Sequence, residues 1–311
     1  MYICMNKTHY TMKRFLIACL IALAFVFAGN AQVPYLTLNN GQKMPQLGIG
    51  TYGQTNDQAY AGVLHALRHG YRHIDTAHAY YDEDGVGRAI KDSGVPREEI
   101  WVTSKLWITD YSDGKTMEHI DEMLARLQLD YVDLLYIHQP MGDIQAAWKV
   151  MEEAVKAGKV RALGISNFDR QPELIDQFAT QMEIKPAIIQ IESHPYRQAL
   201  DVVEQCSKYN IAIEDWFPLG GTMSNGALFE DPVIKEIAAA HGKTPAQVIL
   251  RWHLQEGRSV IPGSKTPSHI DENFDIFDFA LSSADMARIR GINKEDPFFK
   301  VGPPPANFGR N

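Results

Sequence analysis

From Pro34 onward, short apolar runs rich in β-branched residues alternate with longer stretches of helical spacing. Tyr35–Leu38, the turn Asn39-Asn40-Gly41 and Gln42–Met44 read first as a β-hairpin. Eight strand candidates follow at Gln46–Thr51, Tyr71–Asp75, Ile100–Lys105, Val132–His138, Ala162–Ser166, Ala187–Glu192, Ala212–Trp216 and Ser259–Ile261. Between them lie helical patterns such as Thr116–Leu127, Ile144–Ala157 and Leu200–Tyr209, with Gly70, Gly94 and Gly158 at C-cap positions. The strands are almost wholly apolar instead of alternating, which fits parallel strands covered on both faces. Eight strand–helix units in one chain of this length predict a closed (β/α)8 TIM barrel, an α/β fold with the hairpin as an N-terminal addition. A doubly wound open sheet would need a glycine-rich phosphate loop after its first strand. Gly48-Ile49-Gly50-Thr51 lacks both the third glycine and a helix directly behind it.

The first residues break this rhythm. Lys13 and Arg14 precede the apolar run Phe15–Ala28, and Gly29-Asn30-Ala31 supplies small residues before Gln32. The run is shorter than the roughly 20 residues that span a bilayer, so residues 1–31 are expected to be a signal segment and 32–311 a single barrel domain. The expected location is therefore exported or periplasmic; without cleavage it would be cytoplasmic or membrane-tethered. A cut ahead of Gln32 leaves Cys206 as the sole cysteine, so no internal disulfide forms even in an oxidising compartment. The 30 basic and 38 acidic residues give a net charge of -8 without a Lys/Arg cluster, which argues against a nucleic-acid partner. A soluble monomer acting on a small molecule is expected.

Polar residues fall where such a barrel keeps its chemistry, at the C-terminal strand ends. Three successive strands end in Asp75, Lys105 and His138. An isolated buried Asp or Lys costs several kcal/mol, so these two are expected to pair. Tyr80 lies in the loop just past Asp75, where the Lys105 ammonium is expected to lower the phenol pKa toward neutrality. Tyr80 then serves as a general acid toward a carbonyl oxygen, and His138 donates a hydrogen bond to the same oxygen. The next strand ends supply Ser166-Asn167, Gln190 and Trp216, which suit a carboxamide and a flat ring. The turn Pro262-Gly263-Ser264-Lys265-Thr266 suits a phosphate. Together these features describe a nicotinamide dinucleotide site. The rival readings are a metal-dependent barrel enzyme using His73, Asp75, His78, His138 and His194, and a cofactor-binding barrel without catalysis. Lys105 beside Asp75 opposes the first, because it would set an ammonium against the metal.

The stretches GYRHIDTAHAYYDEDGVGRAI (70–90), WVTSKLW (101–107), DLLYIHQP (133–140), GISNF (164–168), IIQIESHP (188–195), WFPLGG (216–221) and IPGSKTPSHIDENFDIFDF (261–279) occur in the order and spacing of a known family. The chain resembles the aldo-keto reductases, most closely the bacterial branch that includes 2,5-diketo-D-gluconate reductases. The resemblance implies a (β/α)8 barrel whose bottom is closed by the hairpin, and NAD(P)H-dependent reduction of an aldehyde or ketone. A keto-sugar or keto-sugar acid is the implied substrate type. It assigns a catalytic tetrad to Asp75, Tyr80, Lys105 and His138. Ser166, Asn167 and Gln190 fall to the carboxamide, Trp216 to the nicotinamide ring, Leu219 and Gly220 to the pyrophosphate. Ser264, Glu272 and Asn273 fall to the adenosine end, and Tyr52 and Trp107 to the substrate pocket. NADPH is the expected cofactor, with Lys265 and His269 near its 2′-phosphate. NADH is the alternative, because Gly263 and His269 stand where the family often has Lys and Arg. Gln139 replaces a frequent Trp, which implies a more polar pocket. The tail through Gly302-Pro303-Pro304-Pro305 offers few large residues to cover it.

Overall fold

The fold is taken from a computed structural model that describes residues 33–111 and 114–299. The expected signal segment and the proline-rich tail lie outside the described residues.

β1 (Tyr35–Thr37) and β2 (Lys43–Pro45) pair antiparallel, with Leu36 opposite Met44. Gly41 takes a positive φ of 83° in the connecting turn, a conformation glycine adopts without steric cost. The barrel strands are β3 (Ile49–Gly50), β4 (His73–Asp75), β5 (Trp101–Leu106), β6 (Val132–Ile137), β7 (Val160–Ser166), β8 (Ile188–Glu192), β9 (Ala212–Trp216) and β10 (Ser259–Val260). Each pairs in parallel with the next in sequence. The ring closes where Leu47 bridges Val260, with Gly48 N donating to Val260 O and Val260 N to Gln46 O. β3 and β10 are only two residues long, so this seam carries the thinnest hydrogen-bonded contact of the ring.

All eight expected strands and the hairpin are present; Ala212–Trp216 matches at both ends and the other strands differ by at most three residues at either end. The helix Thr116–Leu127 matches its periodicity, while Ile144–Lys156 and Leu200–Ser207 stop slightly early. Gly70 and Gly94 are C-caps with positive φ, and Gly158 follows the cap Ala157 in the same left-handed region.

The hairpin seals the bottom. Leu38 and Met44 pack with Trp101, Leu134, Tyr136, Ala162, Ala187 and Ile188. Its turn is tied down by Asn39 Nδ2 donating to Pro186 O and Asn40 Nδ2 donating to Arg161 O. Polar side chains also cross the barrel interior. Tyr136 on β6 reaches Glu214 on β9, past β7 and β8, over the bare Gly164 of β7; a Cβ there would sit 2.3 Å from the Tyr136 ring.

Candidate active site

The C-terminal ends of β4, β5 and β6 bring Asp75, Lys105 and His138 to one face of the barrel. Asp75 ends β4, Lys105 is the penultimate residue of β5, and His138 directly follows β6. Lys105 Nζ donates to Asp75 Oδ1 at 2.5 Å, to Thr76 O at 3.1 Å and to Tyr80 Oη at 3.3 Å. The ammonium is fully buried. Burial works against its charge, but Asp75, Tyr80 and Glu214 together hold Lys105 above its ordinary value. The expected ion pair is therefore present, and Tyr80 stands on it.

Tyr80 departs from the sequence expectation in its proton affinity. Burial pushes the phenol up to about 12, outweighing the pull of Lys105 toward the phenolate. The expected fall toward neutrality does not occur, so Tyr80 carries its proton throughout the neutral range. His138 is moved the other way. Burial first, and then the Lys105 charge, hold it well below the ordinary histidine value. A neutral imidazole keeps one N–H, and its buried Nδ1 has no hydrogen-bond partner among the described residues. The proton is thus better placed on Nε2, which leaves Nε2–H as the donor.

An aromatic wall surrounds these groups. The Tyr52 ring meets Tyr80 edge-on at 5.2 Å, Tyr80 meets His138 at 5.7 Å, and Trp107 meets His138 at 4.9 Å. The expected pocket residues Tyr52 and Trp107 thus join the tetrad.

Asn167, just past β7 at a positive φ of 64°, donates from Nδ2 to His138 O and Ser166 Oγ. Its Oδ1 accepts from Trp216 Nε1 at 3.2 Å. Gln190 Nε2 donates to both Asp75 Oδ2 (2.8 Å) and Glu214 Oε2 (2.6 Å). Gln190 therefore braces the tetrad from below, a contact that the sequence did not suggest. Leu219 packs against the core, and Gly220 has a positive φ of 73° in the loop after β9. Farther round, Ser264 Oγ accepts from Thr266 N, and Lys265 and His269 are exposed at the rim. Glu272 Oε1 accepts from Thr244 Oγ1 at 2.6 Å, while Asn273 is buried.

The histidines and Asp75 of the rival metal reading go to separate partners. His78 Nδ1 lies 2.7 Å from Asp110 Oδ2, His194 Nε2 lies 3.3 Å from Glu192 Oε1, and His73 Nε2 faces Thr103 and Glu214. Asp75 is taken by Lys105.

Three further groups shape the site. Glu214, buried in β9, accepts from Tyr136 Oη, Gln190 Nε2 and Ser259 Oγ. Asp110 accepts from Trp107 N at 2.7 Å as well as facing His78, which couples the turn carrying Tyr80 to the loop carrying Trp107. The third is the segment carrying Phe298 and Phe299. Phe298 N and Phe299 N donate to Glu192 Oε1, the Phe298 ring stacks on His194, and Phe299 meets Trp216 edge-on at 5.6 Å.

The Aldo/keto reductase family model matches residues 44–294. The chain belongs to that family. It is accordingly an NAD(P)H-dependent oxidoreductase that reduces an aldehyde or ketone to the alcohol. Among its relatives, a glyoxal reductase of Bacillus subtilis is 43% identical over 86% of this chain and 95% of its own. A methylglyoxal reductase of Escherichia coli K12 is 39% identical over 88% of this chain and 98% of its own. The crystal structure of a Bombyx mori aldo-keto reductase in complex with NADP superposes with a TM-score of 0.81 at 32% identity, covering 87% of this chain and 96% of that one.

Proposed function

We propose that this aldo-keto reductase acts on a small, oxygen-rich aldehyde or ketone, an α-oxoaldehyde or keto-sugar, with NADPH as reductant and Tyr80 as proton donor. The observation that carries the reading is the Lys105–Asp75–Tyr80 cluster facing His138 within an aromatic pocket. A bound nicotinamide nucleotide supplies the hydride. Tyr80 gives its proton to the carbonyl oxygen, and Nε2–H of the neutral His138 donates to that oxygen and fixes its direction. Lys105 then faces the phenolate left on Tyr80 and stabilises it, while Asp75 and Gln190 keep the ammonium in place.

The residues around this cluster suit a nicotinamide nucleotide. Ser166 offers its hydroxyl and Asn167 and Gln190 their amide oxygens to the carboxamide, their amide N–H groups being used within the protein, and Trp216 offers an aromatic face to the ring. Leu219 and Gly220 line the pyrophosphate path. Ser264, Glu272 and Asn273 fall at the adenosine end. NADPH is preferred in this reading because Lys265 brings an exposed cation to the rim, with His269 also exposed there. Gly263 has a steric reason: a Cβ there would lie 2.9 Å from Gly50 O, so the lysine common in the family does not fit without moving β3.

Fluorescence titration of Trp216 with NADPH and NADH in parallel tests the cofactor reading. Lys265→Ala is expected to weaken NADPH about tenfold, the scale of one charge-assisted contact, and to leave NADH unchanged. An equal loss for both nucleotides, or none, would take Lys265 off the 2′-phosphate.

The substrate class rests on the polar Gln139 directly following His138 and on the activities of the two relatives, glyoxal and methylglyoxal reduction. A higher kcat/KM for benzaldehyde than for methylglyoxal or a keto-sugar would overturn it. The run from Lys13 to Ala31 supports export as the location. The N-terminal peptide of protein recovered from its native cell should then begin at Gln32.

A further inference from the structure

The outer helix layer holds a cluster that the reductase site does not use. His65 and His69 stand four residues apart on the helix Asn56–His69 and so share one face. Both point at Asp271 on the helix Pro267–Phe274. His65 Nε2 is 2.6 Å and His69 Nδ1 3.1 Å from the same carboxylate oxygen, Oδ1. The two imidazoles lie nearly parallel at 6.1 Å, and the Phe274 ring braces His69 edge-on at 5.3 Å. The three side chains are between 34% and 42% exposed, so an ion could enter from solvent and keep a water ligand. Arg68, the neighbouring cation, is turned away and donates to Asp92 O.

We propose that His65, His69 and Asp271 form a site for a divalent transition metal of the zinc class. Two imidazoles and one carboxylate supply three of four tetrahedral ligands, and water completes the set. Imidazole nitrogen favours zinc, nickel or copper over the hard cations magnesium and calcium. One ligand atom from each residue lies within 4.8 Å of the other two. Tetrahedral zinc with bonds of about 2.0–2.2 Å sets its ligand atoms roughly 3.4 Å apart, so each imidazole nitrogen needs to move less than about 1 Å away from Asp271 Oδ1, and the two nitrogens need to close on each other by no more than about 1.4 Å. Half-exposed side chains on two separate helices can make that adjustment by rotation.

The position gives the ion a role. The helix Asn56–His69 follows β3, and the helix Pro267–Phe274 follows β10. A metal held between them staples the two helices that flank the closing seam, where the paired strands are only two residues long. Its effect is on the stability of barrel closure, independent of the chemistry at Tyr80.

Equilibrium dialysis of the full chain against zinc, with thermal unfolding in zinc and in EDTA, tests this. The wild-type chain should bind one more zinc ion than the His65→Ala and Asp271→Asn variants, and its unfolding midpoint should rise with zinc and fall back with EDTA. Both variants should lose that rise while keeping the wild-type midpoint in EDTA to within a few degrees. Cobalt(II) in place of zinc should give the intense visible bands of a tetrahedral centre in the wild-type chain alone. Equal zinc stoichiometry and equal midpoint shifts in wild type and both variants would overturn the site. Failure of the wild-type chain to bind zinc at all would do the same.

Discussion

Tyr80→Phe is expected to lower turnover by more than about a hundredfold, the scale on which a positioned general acid contributes, while nucleotide binding stays intact. The substitution removes one oxygen and keeps the ring, so the edge-on contacts with Tyr52 and His138 survive and the pocket keeps its shape. What is lost is Oη, which accepts from Lys105 Nζ at 3.3 Å, together with the proton it carries. The pH profile separates this role from a packing role. Burial pushes Tyr80 up to about 12, so the acid stays protonated as pH rises through neutrality. For the wild type, kcat/KM for reduction should show no loss from this group until strongly alkaline pH, then decline as Tyr80 ionises. The residual activity of the phenylalanine variant should lack that decline. Stopped-flow measurement of the hydride step with saturating nucleotide reads both effects. Full activity in the variant would remove Tyr80 from proton transfer.

The architecture was legible because parallel strands buried on both faces write themselves as apolar runs, and their helical connections have a different period. Strand ends were less sharp, since Leu106 continues β5 past Lys105 and β3 and β10 shrink to two residues each at the seam. The tetrad was legible for a related reason. Asp75, Lys105 and His138 interrupt apolar runs at the one barrel face where polar groups have work to do. Proton affinity was not legible, because it depends on how deeply Tyr80 is buried, a quantity that spacing does not carry. Asp110 reaches His78 across 32 positions, and Gln190 reaches Glu214 across 24 and Asp75 across 115, and no local pattern announces such contacts. Glu214 did leave a signal. Two acids sit inside the strand Ala212-Ile213-Glu214-Asp215-Trp216, where burial on both faces should have demanded apolar residues. They point to opposite sides, Glu214 to Tyr136, Gln190 and Ser259 within the barrel, and Asp215 to His253 and Arg258.

Lys105→Met should combine the loss of activity with a large loss of stability. The ammonium is the cation facing two buried carboxylates, Asp75 directly and Glu214 through the shared Gln190 amide. Methionine fills similar volume but leaves both carboxylates without that charge. Removing one partner of a buried pair costs about 3–5 kcal/mol, which corresponds to a fall of roughly 6–20 °C in the unfolding midpoint for a domain of this size. The second carboxylate sets the expectation toward the upper end. Adding Asp75→Asn to Lys105→Met removes the stranded charge next to the methionine. Glu214 keeps its donors Tyr136, Gln190 and Ser259, so the double variant should recover part of the lost midpoint. It should not recover turnover, because the phenolate formed on Tyr80 still lacks its ammonium. Recovery of stability without activity identifies Lys105 as both the electrostatic keystone of the barrel mouth and the group that stabilises ionised Tyr80. If the single variant unfolds at the wild-type temperature, the pair is not holding the mouth together. If the double variant regains turnover, the ammonium is not what Tyr80 needs.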